Sequence, residues 1–288
     1  MQLHFIGVGK MGLPMALHLQ AAGHAVTVSD TSSERLALAG AQHLSAPADA
    51  AAAIGRADVV FSSLPHDAAL RSVAQQVAQA ARPGTVVVDT STVSQQASAE
   101  AAAHCDAAGL HCLRCTVSGN NKMAESAQLT VMASGPRAAY DRVLPLLRTW
   151  GPNQFYLGEA EQARLMKLVV NLLIAQTSAM LAEALTLGRK GGLDWRDMWQ
   201  VLGASAVASP ILKAKAVQLA ERDFTPTFTV PQMLKDVDLI LGEGAIEQVP
   251  LPQTALTRQL LLAALAQGHA DDDYAAIIRV AERAAGLD

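Results

Sequence analysis

Short apolar, β-rich runs alternate with Ala-rich stretches of helical period along the first half of the chain. Leu3 to Ile6, Ala25 to Ser29, Asp58 to Ser63, Thr85 to Asp89, Gly109 to Arg114 and Gln128 to Ser134 read as strands. Lys10 to Ala22 reads as a helix closed by Gly23, and helical patterns lie between most of the other runs. This βαβα alternation predicts a doubly wound parallel sheet, covered on both faces and joined by right-handed crossovers. From Ala163 the strand signals almost vanish. Ala163 to Lys190 holds no Pro and only Gly188, which predicts one helix of roughly 40 Å at ~1.5 Å per residue, ended by Gly191-Gly192. Shorter helices follow at Asp194 to Leu202, Ile211 to Glu221, Val230 to Gly242, Pro252 to Gln267 and Tyr274 to Ala285, punctuated by prolines. The expected organisation is an α/β domain over 1–162 and an all-helical domain over 163–288, led by the long helix.

Composition sharpens this picture. Of 288 residues, 51% are apolar and 17% charged, so much of the chain must be buried in a core or against another subunit. The net charge of -4 leaves no basic surface that asks for nucleic acid or an anionic membrane. The start, Met1-Gln2-Leu3-His4-Phe5, lacks a charged leader. The apolar run Leu168 to Ala175 is soon interrupted by Gln176 and Glu183, so no stretch long enough to span a bilayer is expected, and a cytoplasmic location is the default. Cys112 and Cys115, with His104 and His111 nearby, have the spacing of half a zinc site. No second pair exists, however, and odd spacing in a strand points the two thiols to opposite faces, so no metal is expected.

The strongest chemical signal is Gly7-Val8-Gly9-Lys10-Met11-Gly12, a G-x-G-x-x-G that follows a strand and opens a helix within a βαβ unit. The first Gly permits the tight turn, the second lets backbone approach a pyrophosphate, and the third lets helix and strand pack closely. The helix N-terminus offers N–H groups and a positive dipole end to the anion. This pattern predicts a Rossmann-type dinucleotide site. Asp30 ends the second strand, where a carboxylate accepts hydrogen bonds from a ribose hydroxyl and repels a 2′-phosphate, or else caps the next helix. NAD is therefore favoured over NADP. The hydroxyls of Thr31, Ser32 and Ser33 keep NADP open.

The chain resembles the β-hydroxyacid dehydrogenases, the group of 3-hydroxyisobutyrate dehydrogenases and tartronate semialdehyde reductases, over nearly its whole length. The resemblance rests on Gly7 to Ala16 with Met11, Pro14 and Met15, on Leu64-Pro65, Asp89-Thr90-Ser91-Thr92 and Val117-Ser118-Gly119, and on Lys167-x-x-x-Asn171 and Lys235-Asp236. It implies hydride transfer between a nicotinamide cofactor and a small hydroxy acid. Leu64, Pro65 and Thr92 would lie around the cofactor riboses and nicotinamide, and Lys235 would approach from the helical domain. Lys167 and Asn171 share one helix face, and the resemblance makes Lys167 the acid–base group and Asn171 its partner at the reacting oxygen. Ser118 and Gly119 are implied as the carboxylate anchor. The family usually has Asp-Ala-Pro before Val-Ser-Gly-Gly, whereas this chain has Arg114-Cys115-Thr116, and Asn120 replaces the last Gly. Asn120, Asn121 and Lys122 thus bring unusual polar groups to the expected substrate site, which reads as altered substrate choice.

Two alternatives stand beside the dehydrogenase reading. One is an imine reductase of the same architecture, whose members commonly carry another residue where Lys167 stands. The other is a dinucleotide-binding module without catalysis. The apolar long helix, with Met180, Leu181 and Leu185, predicts packing at a domain or subunit interface, hence a homodimer or homotetramer. The active site is expected in the cleft between the domains.

Overall fold

The computed structural model describes residues 1–287. The chain divides into two compact units, Met1–Lys167 and Leu168–Asp288. In the first, the strands are β1 (Gln2–Ile6), β2 (Ala25–Ser29), β3 (Val59–Ser62), β4 (Val86–Asp89), β5 (His111–Ser118), β6 (Thr130–Ser134) and β7 (Asn153–Tyr156). Its helices are α1 (Gly12–Ala21), α2 (Ser33–Ala41), α3 (Ala50–Arg56), α4 (Asp67–Ala80), α5 (Gln95–Ala107), α6 (Asn121–Glu125) and α7 (Arg137–Leu147). The long helix α8 (Gln162–Lys190) runs into the second unit, which holds α9 (Trp195–Ala204), α10 (Pro210–Leu219), α11 (Val230–Ile246), α12 (Pro252–Ala266) and α13 (Ile277–Ala284). Tyr274–Ala276 forms a 3₁₀ turn, so the helix expected over Tyr274 to Ala285 is broken at its start.

One seven-stranded sheet carries the first unit, in the order β2-β1-β3-β4-β5-β6-β7. The first five strands are parallel, as the alternation predicts. The doubly wound, mostly parallel sheet carries one exception: β6 pairs antiparallel to β5, while β7 runs parallel to β6. The reason is the short connection 119–129, whose only helix is the five-residue α6. A parallel return needs a crossover of a dozen or more residues. Strand β5 is also longer than expected and runs through Cys115 and Thr116 to Ser118. Apolar side chains alternate between the two faces. Phe5, Val28, Phe61, Val88 and Cys115 join the core under α1 and α7, and Ile6, Val60, Val87 and Cys112 join the one under α3, α4 and α5. Cys112 and Cys115 therefore do face opposite ways.

His4 sits at the centre of β1, fully buried, with Nδ1 2.9 Å from Thr27 Oγ1 and Nε2 3.0 Å from Ser29 Oγ. Burial disfavours the imidazolium and lowers its pKa from 6.5 to about 4. The folded state thus keeps His4 neutral while the unfolded chain takes up a proton below its own pKa. Stability should be full above pH 6.5, fall as pH drops toward 4, and lose no more to this group below that, for a total of about 3 kcal/mol. Urea unfolding across this range should show a steeper slope for the wild type than for His4→Gln. Equal slopes would remove His4 from the acid sensitivity.

In the second unit α8 lays Ala175, Ala182 and Leu185 into a core shared with Trp199, Val237 and Leu261. Asp194, Ser209 and Thr229 cap α9, α10 and α11, the last through a capping box with Gln232. The expectation that no segment is long enough to cross a bilayer does not hold. Among the described residues α8, with 29 residues and a window of mean hydropathy 1.6, is long and apolar enough by length and composition. Its polar residues are spaced too widely to break the apolar average. Its buried face is the one that fills the bundle core.

Candidate active site

The register of the sheet brings the candidate cofactor residues of the first unit to one edge. Ser29, Ile6, Ser62, Asp89 and Arg114 lie side by side on β2, β1, β3, β4 and β5. The segments that follow them therefore leave the sheet at one carboxyl edge: Asp30, the loop 7–11, Leu64-Pro65 and Thr90 to Thr92. The chain reverses its winding direction between β1 and β3, which is where ligands bind in open α/β sheets.

Each glycine of the loop has its own reason. Gly7 adopts φ +88°, and a Cβ there would lie 2.3 Å from the Ser63 carbonyl oxygen. A Cβ on Gly12 would lie 1.9 Å from the Gly7 oxygen. At Gly9 a Cβ would meet only the Arg35 guanidinium at 3.7 Å, so this backbone is open to approach. No described side chain caps the first turn of α1. A bare backbone cradle in front of an uncapped ten-residue helix fits the pyrophosphate of a dinucleotide.

Asp30 is turned inward. Its side chain is 3% exposed, with Oδ2 accepting from the Val8 N–H and Oδ1 from the Ser32 N–H, both at 2.9 Å. It does not cap α2; Ser32 does, accepting the Arg35 N–H. The Arg35 guanidinium stands 3.6 Å from Asp30 Oδ2 and is half exposed, beside the exposed Thr31. Leu64 is half-buried and donates its N–H to Ser91 Oγ at 2.8 Å, while Pro65 and Lys10 are exposed and Thr92 is half-buried.

Ser118 is the last residue of β5, half-buried opposite Thr130. Gly119 has φ +139°, and a Cβ there would stand 2.7 Å from Leu129. Asn120 turns its side-chain oxygen to the Met123 N–H at 3.0 Å and so starts α6, which leaves its NH₂ as the group that can face a ligand. The Asn121 Oδ1 is buried without a hydrogen-bond partner among the described residues. Of the residues that depart from the family pattern, Arg114 and Thr116 have structural partners. Arg114 pairs with Glu161, and Thr116 donates to the Ala163 carbonyl at 2.9 Å, so both grip the approach to α8.

Lys167 and Asn171 lie one turn apart on α8, Lys167 half-buried and Asn171 buried. In the second unit the Asn171 amide donates to Asp236 Oδ2 at 2.6 Å, and Lys235 Nζ lies 2.8 Å from Asp236 Oδ1. Asp236 is 1% exposed. It enters the candidate site as the group that fixes Asn171. In the sequence it stood out only beside Lys235.

Comparison with known proteins finds matches over both units. Residues 2–158 match the family model described as the NAD-binding domain of 6-phosphogluconate dehydrogenase. Residues 162–281 match the one described as the NAD-binding of NADP-dependent 3-hydroxyisobutyrate dehydrogenase. The chain is 32% identical to 2-(hydroxymethyl)glutarate dehydrogenase of Eubacterium barkeri, over 99% of this chain and 96% of that protein. It is 30% identical to the chloroplastic glyoxylate/succinic semialdehyde reductase 2 of Arabidopsis thaliana, over 97% of this chain and 79% of that protein. Among solved structures it resembles a Mycobacterium tuberculosis 3-hydroxyisobutyrate dehydrogenase with L-serine. The TM-score is 0.88 at 29% identity, covering 96% of this chain and 98% of that one.

Proposed function

Because the chain belongs to the 3-hydroxyisobutyrate dehydrogenase-like family of β-hydroxyacid dehydrogenases, we propose that it moves a hydride between NAD and a short 3-hydroxy acid or its aldehyde, with Lys167 as the acid–base group. The chain is an NAD(P)-dependent oxidoreductase acting on a CH–OH group. The observation that carries the finer reading is the placement of Lys167. It stands on the second turn of α8, whose start is tied by Thr116 and Ser134 to the sheet that presents the dinucleotide loops.

A bound dinucleotide would supply the hydride acceptor or donor for the oxygen-bearing carbon. Gly7, Val8, Gly9, Lys10, Met11 and Gly12 would hold its pyrophosphate, Asp30 and Thr31 its adenosine ribose, and Leu64, Pro65, Thr92 and Lys235 its nicotinamide half. Lys167 Nζ takes the hydroxyl proton during oxidation and returns it to the developing alkoxide during reduction. Asn171, its amide fixed by Asp236, orients the same oxygen. Ser118 and the backbone at Gly119 hold the substrate carboxylate, and Asn120 selects among acids. The names of the relatives support this class, since glutarate, glyoxylate and succinic semialdehyde all carry a carboxylate. A panel of 3-hydroxyisobutyrate, 2-(hydroxymethyl)glutarate, glycerate, threonate, serine and hydroxybutyrate, with the matching aldehydes, tests it. Turnover with one of them is expected. No turnover, with dinucleotide binding confirmed, would contradict the substrate class.

Cofactor choice turns on two residues. Asp30 disfavours a 2′-phosphate, and Arg35 partly offsets it. NAD should give the higher kcat/KM, and Arg35→Glu should widen the NAD/NADP ratio at least ~10-fold, the equivalent of ~1.4 kcal/mol. A preference for NADP in the wild type would overturn the reading of Asp30.

A second copy of the chain is the proposed partner. Met166, Leu173, Met180 and Leu187 are exposed on α8 at intervals of seven residues, the spacing of a helix-pairing seam. Light scattering at micromolar concentration should give at least twice the monomer mass. A monomer would contradict this assignment.

A further inference from the structure

Arg164 is an arginine on the first turn of α8 that is only 2% exposed. Every nitrogen of its guanidinium is engaged. Nε donates to Ser98 Oγ at 3.0 Å, Nη1 to the Ser91 carbonyl, and Nη2 to Asp89 Oδ2. Asp89 ends β4 and is itself buried; its Oδ1 accepts from Ser62 Oγ and, at 2.7 Å, from Ser91 Oγ. Ser91 Oγ in turn accepts the Leu64 N–H at 2.8 Å. A single buried cation therefore joins three segments: the residues that follow β3, the residues that follow β4, and the helix that carries Lys167. The residues that make these contacts, and Lys167 itself, belong to the first unit.

Anchoring the helix start does not by itself require this arrangement. Ser134 Oγ accepts the Ala163 N–H and donates to the Ala160 carbonyl, Thr116 holds the Ala163 carbonyl, and Arg114 holds Glu161. A buried ion pair is costly to desolvate and is seldom the cheapest source of stability. What Arg164 adds is its particular reach, to Ser91 beside Thr92 and, through Ser91, to Leu64. On a helix, positions three apart are neighbours on one face, so Arg164 lies directly below Lys167.

We propose that Arg164 is a positioning residue for the reaction. It acts through Asp89 and Ser91 to set Lys167 against the two loops assigned to the nicotinamide half of the cofactor, so that proton transfer depends on one buried cation. The inference rests on the reading of Lys167 as the acid–base group. A misplacement of about 1 Å in such a site can cost on the order of 100-fold in rate.

The test is a double-mutant cycle of Arg164→Gln with Lys167→Met, with kcat, KM, NAD affinity and thermal unfolding measured at each corner. With Lys167 present, Arg164→Gln should lower kcat about 10- to 100-fold and leave NAD affinity and KM within about threefold, and Arg164→Lys should recover part of the loss. In the Lys167→Met background the same change should cost less than about threefold further, because the group being positioned is gone. Should Arg164→Gln fail to fold, the paired Arg164→Met/Asp89→Asn variant, which strands no buried charge, is read the same way. Equal losses in both backgrounds, or a kcat within about twofold of wild type, would overturn the proposal and leave Arg164 a purely structural clamp. Full turnover by Lys167→Met alone is the distinct signature of failure of the acid–base reading, and would overturn both.

Discussion

Replacement of Lys167 by methionine should lower kcat by about 10²- to 10⁴-fold while NAD binds within about threefold of its wild-type affinity. That loss corresponds to ~3–5 kcal/mol of transition-state stabilisation. Methionine keeps the unbranched shape and the helix propensity of lysine, so α8 has no local reason to unwind. What disappears is the nitrogen proposed to exchange a proton with the substrate oxygen. Lys167→Arg separates charge from chemistry. The guanidinium keeps the positive charge yet does not release its proton near neutral pH, so this variant should stay at least ~100-fold impaired. Steady-state kinetics with calorimetry of NAD binding checks both. A kcat within twofold of wild type in Lys167→Met would remove Lys167 from the mechanism.

The second large effect is expected at Gly12. An added Cβ would stand 1.9 Å from the Gly7 carbonyl oxygen, and Gly7 cannot yield, since its own backbone at φ +88° is packed against the Ser63 carbonyl. Both contacts are backbone, so relief requires α1 to lift from β1. Gly12→Ala should cost about 2–3 kcal/mol or more, a fall in Tm of roughly 5–10 °C for a unit of this size. It should weaken NAD binding at least ~10-fold. Gly9→Ala is the contrast. Among the described residues, the atoms near its added Cβ belong to the Arg35 guanidinium at 3.7 Å, so stability should change by less than about 0.5 kcal/mol while NAD affinity still falls. Thermal unfolding and binding calorimetry on the two variants separate packing from ligand approach. Equal destabilisation by both would contradict the distinct roles given to these glycines.

The phosphate loop was legible in the sequence because its chemistry is local. Three glycines within six residues carry the turn, the open approach and the helix–strand contact, and each has its physical counterpart at Gly7, Gly9 and Gly12. The same holds for α8, whose run without Pro and with Gly188 as its single Gly located it to within a residue of Gln162–Lys190. Strand direction was not local. Nothing in Thr130–Ser134 says which way it runs; the short connection 119–129 decides that. Strand β7 was missed because its four residues, Asn-Gln-Phe-Tyr, carry no apolar alternation and sit at a sheet edge.

Side-chain partnerships across the chain were also out of reach. Asp236 meets Asn171 from 65 residues away. Arg164 meets Asp89 from 75 residues away. By sequence alone an arginine in the first turn of a helix reads as a solvated charge, and its burial follows only from where β4 ends. Asp30 shows the converse. Its position at the end of β2 was legible, yet its inward turn toward the Val8 N–H depends on the path of the loop.

The proposed reaction is direct hydride exchange between the dinucleotide and the hydroxyl-bearing carbon of a short hydroxy acid. The most direct test uses an acid deuterated at that carbon. The enzyme oxidises it with NAD, and the reduced dinucleotide is analysed by mass spectrometry. One deuterium per reduced dinucleotide, on a single face of the ring, is the predicted result. Substrate oxidation with no deuterium in the dinucleotide, or with the label lost to water, would contradict it.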